Sequence, residues 1–330
     1  MANIGIIGSG SWGTAIAWLL CGNGHQVTLW SYLEEETEMF KAHHQNTDKL
    51  PGVILPDDVV YTCSLEEAVK DKDLLVLVVP SPTVRATARN MKPYVSDGQV
   101  IVNLSKGIEE STLMIMTDVI EEEIPQADVA VLSGPSHAEE VGRGLPTTIT
   151  VGAHDRKTAG YIRDLFMNQV FRVYSSKDML GIEIGAALKN VIALAAGMSD
   201  GLGYGDNTKA ALITRGIAEI SRLGEAMGAD KATFFGLSGI GDLVVTCASV
   251  HSRNRKAGYL MGQGLSMEEA MKEVHMVVEG VYSAKAALAL AEKYNVEMPI
   301  VSEVNKILFE GKSPKAAVLE LMQRMRKDED

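Results

Sequence analysis

Lys189 is the only charged residue between Ile184 and Ser199, in a helix-patterned stretch otherwise built to be buried. An ammonium in such a place is costly unless it is paired or lines a cavity, and desolvation lowers its pKa from about 10.4 towards values useful to a general base. The adjacent Asn190 could hold a substrate oxygen. The pattern equally suits a lysine whose stem lies along the core while its head reaches water. Lys106 stands just past the strand-like run Val100–Leu104 and precedes Gly107, where a cation could polarise a carbonyl or orient a phosphate; alone, it reads as an exposed loop lysine. Asp242 stands after Gly239-Ile240-Gly241 and before an apolar run, a carboxylate that in isolation reads as a helix cap. Ser252-Arg253-Asn254-Arg255-Lys256 is a dense basic cluster in a chain of net charge −12, and arginine forks with neutral donors beside them suit a phosphoryl group.

A second constellation opens the chain. Gly8-Ser9-Gly10-Ser11-Trp12-Gly13 follows the strand-like run Asn3–Ile7 and precedes a helical pattern from Thr14. The first glycine makes a tight turn, the second lets backbone approach a pyrophosphate, and the third lets helix and strand pack closely. The helix N-terminus then offers free N–H groups to the phosphates. An acidic residue ending the second strand would take a ribose 2′-hydroxyl, and an arginine there would take a 2′-phosphate. Ser31 and Tyr32 occupy that place, with Glu34, Glu35 and Glu36 just beyond, so NAD and NADP both stay open.

These groups need elements to position them. Strand-like runs fall at Asn3–Ile7, Gln26–Trp30, Leu74–Val79, Val100–Leu104, Val129–Leu132, Thr147–Val151 and Val170–Tyr174, separated by helical patterns such as Thr14–Cys21, Leu33–His44 and Pro82–Lys92. Alternation of this kind predicts an α/β, Rossmann-type, doubly wound and mostly parallel sheet. Past Ser176 the β pattern stops, and long helices are expected, among them Leu180–Met198, Thr208–Met227 and Met267–Val274. The reading is a dinucleotide-binding domain over 1–176 and an all-helical substrate and catalytic domain over 177–330. Open α/β sheets bind ligands at the carboxyl ends of their strands. Four such ends carry unusual polar groups: Ser31-Tyr32, Pro80-Ser81-Pro82, Ser105-Lys106-Gly107 and Ser133-Gly134-Pro135-Ser136.

Composition narrows the classes. With 330 residues and 46% hydrophobic content the chain can build two cores, and its acidity argues against nucleic acid as a partner. Cys21, Cys63 and Cys247 are too few and too scattered for a disulfide framework or a zinc site, which suits a reducing cytoplasm; Cys247 reads as a buried thiol. His43-His44 falls in a polar helix, and His137, His251 and His275 show no shared-ligand spacing, so no metal is expected. Glu121-Glu122-Glu123 reads as a solvated helix end. The N-terminus has no basic leader, and the low-charge stretch 184–199 is too short to span a bilayer, so neither secretion nor membrane insertion is expected.

In combination, these motifs resemble those of bacterial-type NAD(P)-dependent glycerol-3-phosphate dehydrogenases, and the resemblance runs nearly the whole chain. It is carried by Gly8 to Thr14, Ser105 to Gly107, Ser133 to Ser136, Leu188 to Val191, Gly197 to Gly201, Gly239 to Thr246, Ser252 to Arg255, Val278 to Gly280 and Glu297 to Pro299. The resemblance implies a Rossmann-type domain and a helical domain of the 6-phosphogluconate-dehydrogenase kind with the active site between them. It implies reversible hydride transfer between sn-glycerol 3-phosphate and NAD(P)+, a place in phospholipid synthesis, and a homodimer. Position by position it makes Lys189 the proton acceptor and puts Lys106 against substrate and cofactor. Gly134, Ser136, Asp242, Ser252, Arg253 and Asn254 become substrate contacts, with Asp242 also orienting the lysines. Gly8, Gly10, Ser11, Trp12, Gly13, Tyr32, Ala138, Arg253, Val277 and Glu279 become cofactor contacts. Ser9 stands where the family usually has alanine, His137 where an aromatic residue is frequent, and Ser31-Tyr32 lacks the basic residue many relatives carry. Two other readings share parts of the pattern. A β-hydroxyacid dehydrogenase of the same plan would need no Ser252-Arg253-Asn254, and a non-catalytic dinucleotide-binding protein would need no Lys189.

Overall fold

The computed structural model describes residues 1–325; residues 326–330, the end of the expected second domain, lie outside them. Eight strands form one sheet: β1 (Asn3–Ile7), β2 (Gln26–Trp30), β3 (Val60–Thr62), β4 (Leu74–Leu77), β5 (Val100–Asn103), β6 (Asp128–Ser133), β7 (Thr147–Ala153) and β8 (Phe171–Ser176). Their order is β3-β2-β1-β4-β5-β6-β7-β8. All pairs are parallel except β6 with β7. Parallel strands are covered on both faces, which is why β1 and β4 read as unbroken apolar runs: Ile4, Ile6, Ile7 and Leu74 to Leu77 are fully buried. The chain winds outward from β1 through β2 to β3, then returns to β4 on the other side of β1. The crevice between the carboxyl ends of β1 and β4 is therefore the topological switch point.

β3 was absent from the sequence reading because a three-residue strand at the edge of a sheet shows no usable alternation. Two local expectations are corrected. The helix Glu34–His43 stops one residue short of His44, which takes a left-handed conformation with φ 51°. Nor is Glu121-Glu122-Glu123 simply solvated: the Arg85 guanidinium donates to Glu123 at 2.9 Å and to Glu109 at 2.7 Å, and Arg89 donates to Glu123 at 2.8 Å. Glu122 is a further partner of Arg85.

Beyond β8 every element among the described residues is helical. The helix Met179–Gly201 runs through the centre of this half, capped by Asp178, whose side chain accepts from the Gly181 N–H at 2.9 Å. It is longer than the stretch read from the sequence, and by length and hydropathy alone it could cross a membrane; instead its most apolar window is 89% buried inside the protein. Its first turns pack on the sheet, where Met179 and Ile182 meet Val131. The rest is surrounded by Asp206–Met227, Asp242–Ala248, Arg253–Gly262 and Glu279–Lys293.

One contact around this helix is unusually close. A Cβ on Gly197 would lie 2.1 Å from the Arg255 carbonyl oxygen, one on Gly201 2.2 Å from that of Tyr259, one on Gly258 2.1 Å from that of Leu194, and one on Gly262 2.3 Å from that of Met198. Here Met179–Gly201 and Arg253–Gly262 touch backbone to backbone along a reciprocal glycine seam. No other residue type fits, because a Cβ at 2 Å from a carbonyl oxygen has nowhere to go. The seam sets Lys189 and the basic cluster at Ser252 on one rigid frame.

Candidate active site

The glycine loop has the features an anion cradle needs. Gly8 has φ +126°, and a Cβ there would lie 2.6 Å from the Val78 carbonyl oxygen; a Cβ on Gly13 would lie 1.9 Å from the Gly8 carbonyl oxygen. Gly10, by contrast, faces open space. Two glycines are thus demanded by packing, while the third leaves the backbone bare towards the crevice. The helix Ser11–Gly22 starts there without a side-chain cap and without an acidic residue in its first turn. Its first N–H groups and the positive end of its dipole are left for a ligand. Trp12 adds a buried indole Nε1 that has no hydrogen-bond partner, as does His137 Nε2 nearer the helical half. Such orphaned polar atoms are uncommon in folded proteins and mark positions a ligand can complete. These residues fit a dinucleotide.

The centre of the site is a triad of charges from three distant parts of the chain. Lys189 projects from the long helix and pairs with Asp242 Oδ1, while its ammonium also donates to Thr246 Oγ1 at 2.8 Å. Lys106, on the loop after β5, donates to Asp242 Oδ2 at 2.8 Å and to the Gly134 carbonyl at 3.2 Å. Side-chain exposure is 7% for Lys189 and 2% for Asp242 but 18% for Lys106, so the first pair is sealed while the second lysine reaches the crevice. Lys189 neither snorkels to water nor sits alone, and Lys106 is no free loop lysine. Asp242 is not an N-cap: it is the first residue of Asp242–Ala248 and spends its carboxylate on the two lysines.

Electrostatics follow from that count of two ammoniums to one carboxylate. Burial pushes Lys189 down to about 7, aided by the Lys106 charge and opposed by Asp242. Burial alone would raise the Asp242 carboxyl, but Lys106 and Lys189 outweigh it and hold it below the ordinary range. His137 is lowered by burial and then by the Lys189 ammonium, which leaves it neutral beside the triad. A lysine that can give up its proton near neutrality, facing a fixed cation, can take a proton from a hydroxyl whose oxygen is about to become a carbonyl.

Gly134 and Ser136 line the loop after β6 that Lys106 touches; the Ser136 hydroxyl donates back to the Gly134 carbonyl at 2.9 Å. Asn254 joins from the helix Arg253–Gly262: its Nδ2 donates to Asn190 Oδ1 at 2.9 Å and its Oδ1 accepts from the Gly280 N–H at 2.8 Å. Glu279 bridges the two halves, accepting from the Ser81 N–H at 3.1 Å and from the Ser81 hydroxyl. Burial raises the Glu279 carboxyl, and Ser81 and the nearby Arg253 charge oppose that rise.

The basic cluster is split by the fold. Ser252 caps its helix, its Oγ accepting from the Arg255 N–H at 3.2 Å. Arg255 turns away and donates to Asp200 Oδ2 at 2.8 Å, where Lys209 also pairs with that carboxylate. Arg253 is left as the arginine of the cluster near Glu279 and Glu139. Of the expected cofactor contacts, Ser11 and Ala138 are buried, Val277 is half-buried, and Tyr32 is exposed with its ring edge-on to Trp30 at 6.4 Å. Cys247 is a buried thiol pushed up to about 12 by desolvation, hence unreactive.

Sequence reasoning missed Thr246, which lies one helical turn after Asp242 and beside Lys189. It also missed the clamp under Lys106. Asn103 Oδ1 accepts from the Ser105 N–H at 2.9 Å, and its Nδ2 donates to Glu183 Oε1 at 3.0 Å. A polar residue ending a buried strand was the available signal for Asn103. Glu183 carried one too, as an acid in an otherwise apolar helix.

A glycine cradle at the switch point of a parallel sheet, facing a buried lysine delivered by an all-helical half, defines a two-part nicotinamide-dinucleotide dehydrogenase. Sequence comparison makes the class particular. The profile described as NAD-dependent glycerol-3-phosphate dehydrogenase N-terminus matches residues 3–159, and that described as its C-terminus matches 178–319. The chain belongs to the NAD-dependent glycerol-3-phosphate dehydrogenase family. It is 65% identical to the glycerol-3-phosphate dehydrogenase [NAD(P)+] of Agathobacter rectalis over 100% of this chain and 98% of that one. Its identity to the protein of the same name from Fusobacterium nucleatum is 59%, over 99% and 98%. The crystal structure of glycerol-3-phosphate dehydrogenase from Coxiella burnetii superposes with a TM-score of 0.95 at 37% identity, covering 98% of this chain and 99% of that one.

Proposed function

We infer that this chain interconverts sn-glycerol 3-phosphate and dihydroxyacetone phosphate with NAD(P) as the redox partner, and so supplies glycerol 3-phosphate for phospholipid synthesis. The observation that carries the reading is the buried Lys189–Asp242–Lys106 triad, with Asn254 bonded to Asn190, the residue next to Lys189. When bound, the nicotinamide supplies the two-electron chemistry at substrate C2. The protein supplies the rest. Lys189 takes the C2 hydroxyl proton as the alcohol is oxidised, and its ammonium returns a proton to the ketone oxygen in the reverse direction. Lys106 stabilises charge developing on that oxygen, a role its partial exposure and fixed cation support. Asp242 orients both lysines, and Thr246 holds the Lys189 head. Arg253, Asn254 and Ser252 receive the phosphate, Gly134 and Ser136 the glycerol end, and Glu279, Val277 and Ala138 the cofactor.

We divide the chain into a dinucleotide domain over 1–176 and a helical domain over 177–330, a division supported by the switch from β8 to the long helix. We further propose a cytoplasmic homodimer; three unpaired cysteines support a reducing compartment. The test is oxidation of NADH or NADPH on adding dihydroxyacetone phosphate, with wild type and Lys189→Ala. Turnover by the wild type alone is expected, with cofactor binding retained in the variant. Near-normal turnover by Lys189→Ala would remove this lysine from the role of base.

A further inference from the structure

The end of β2 holds a network that bears on which dinucleotide is used. The Ser9 hydroxyl donates to Glu36 Oε2 at 2.6 Å, and the Ser31 hydroxyl donates to the same oxygen at 2.9 Å. The Lys49 ammonium pairs with the other carboxylate oxygen. Asn46 locks the arrangement from beneath: its buried Nδ2 donates to the Ser9 carbonyl at 2.9 Å, and its Oδ1 accepts from the Lys49 N–H at 2.8 Å. The glycine loop, the residue after β2 and the segment carrying Lys49 are thus drawn together on one carboxylate. The Glu36 side chain is 16% exposed. Burial would raise its carboxyl, but Lys49, Ser9 and Ser31 outweigh that and hold it below the ordinary range, so it is ionised at neutral pH.

The position matters because the carboxyl end of the second strand, beside the glycine loop, is where this fold puts the adenosine ribose. A fixed carboxylate there can accept a hydrogen bond from a 2′-hydroxyl. The same carboxylate repels a 2′-phosphate, and the network's one cation, Lys49, is already neutralised by it. Tyr32, next along the chain, brings no charge. We propose that Glu36, held in place by Ser9, Ser31 and Lys49, selects NAD over NADP in this protein. The proposal rests on the reading of the chain as an NAD(P)-dependent dehydrogenase.

The experiment measures kcat/KM for NADH and NADPH at saturating dihydroxyacetone phosphate, with wild type and Glu36→Gln. Wild type is expected to favour NADH. The amide keeps the shape but removes the charge and leaves Lys49 without its counter-ion, so the NADPH to NADH ratio should rise about tenfold or more. A wild type that favours NADPH, or a ratio unmoved by Glu36→Gln, overturns the proposal. Calorimetric binding to the wild type needs neither turnover nor the variant: ADP-ribose should bind more tightly than 2′-phospho-ADP-ribose, and equal or reversed affinities overturn it. Absence of turnover with both cofactors would instead count against the dehydrogenase reading, while the binding order still decides the role of Glu36.

Discussion

Asp242→Asn is the perturbation that bears most directly on the chemistry. It preserves the shape of a side chain that two lysines share, and it removes the only negative charge in the Lys189–Asp242–Lys106 triad. Lys106 then faces Lys189 without a mediator. At an effective dielectric of about 20, an opposite charge about 4 Å away contributes about 4 kcal/mol, equivalent to about three pKa units. Water entering the site and side-chain movement return part of that, so we expect the Lys189 pKa to fall by about 1–2 units. The sign follows from which form is charged: losing the carboxylate disfavours the ammonium, so the proton leaves at lower pH. In the wild type, where Lys189 lies at about 7, glycerol 3-phosphate oxidation should gain its base limb near neutrality. In the variant that limb should move about 1–2 pH units lower, while ketone reduction, which needs the ammonium, should fall at pH 7. The assay is kcat against pH in both directions, with thermal unfolding as a control, since breaking a buried pair costs about 3–5 kcal/mol. A base limb that stays put or moves to higher pH in a folded variant would show that Asp242 does not hold up the Lys189 pKa.

Arg253→Ala should raise the KM for dihydroxyacetone phosphate about ten- to hundredfold, as loss of a charged hydrogen bond does, with a smaller effect on kcat; an unchanged KM removes Arg253 from the phosphate site. Glu183, which accepts from Asn103 and from Thr117, is pushed by burial up to about 8 from an ordinary 4.5. Its contribution to stability is therefore whole below the ordinary value and lost as pH rises through the folded one. Glu183→Gln, which imitates the protonated acid, should lose less stability than wild type between about pH 4.5 and 8, as measured by urea midpoints; parallel curves would sink this account. Gly258→Ala would place a methyl 2.1 Å from the Leu194 carbonyl oxygen, and should cost about 1–3 kcal/mol or more in the same measurement. An unchanged midpoint would show that the seam is not tightly packed.

The parallel sheet was legible because strands buried on both faces announce themselves as continuous apolar runs, and β1 and β2 match their expected bounds. Lys189 stood out for the complementary reason, a lone charge in a stretch that is apolar apart from Asn190. Its partner was named by the family resemblance alone and not by pattern or spacing, because Lys106 and Asp242 are separated by 136 residues and only the packed fold brings them together. The same limit hid the split in the basic cluster. Arg253 and Arg255 look equivalent in a string, but on a helix they point in different directions, and Asp200 claims one of them. The Glu36 network was half visible: its acid was noticed, but neither Ser9 nor Lys49 could be linked to it without the loop geometry that Asn46 imposes.

The glycine seam has a consequence for what the site can measure. Between the helix bearing Lys189 and the helix opening at Ser252, the limiting contacts are carbonyl oxygens and α-carbons, and no rotamer change can widen or narrow them. The span from Lys189 to the helix start at Ser252 is thus set by main chain, like the jaws of a fixed caliper. A caliper of this kind discriminates by length. Substitutions among the lining side chains can alter how strongly a substrate is gripped, but admitting one with a longer carbon spacer would require the two helices to separate, and the seam gives them no softer contact over which to slide.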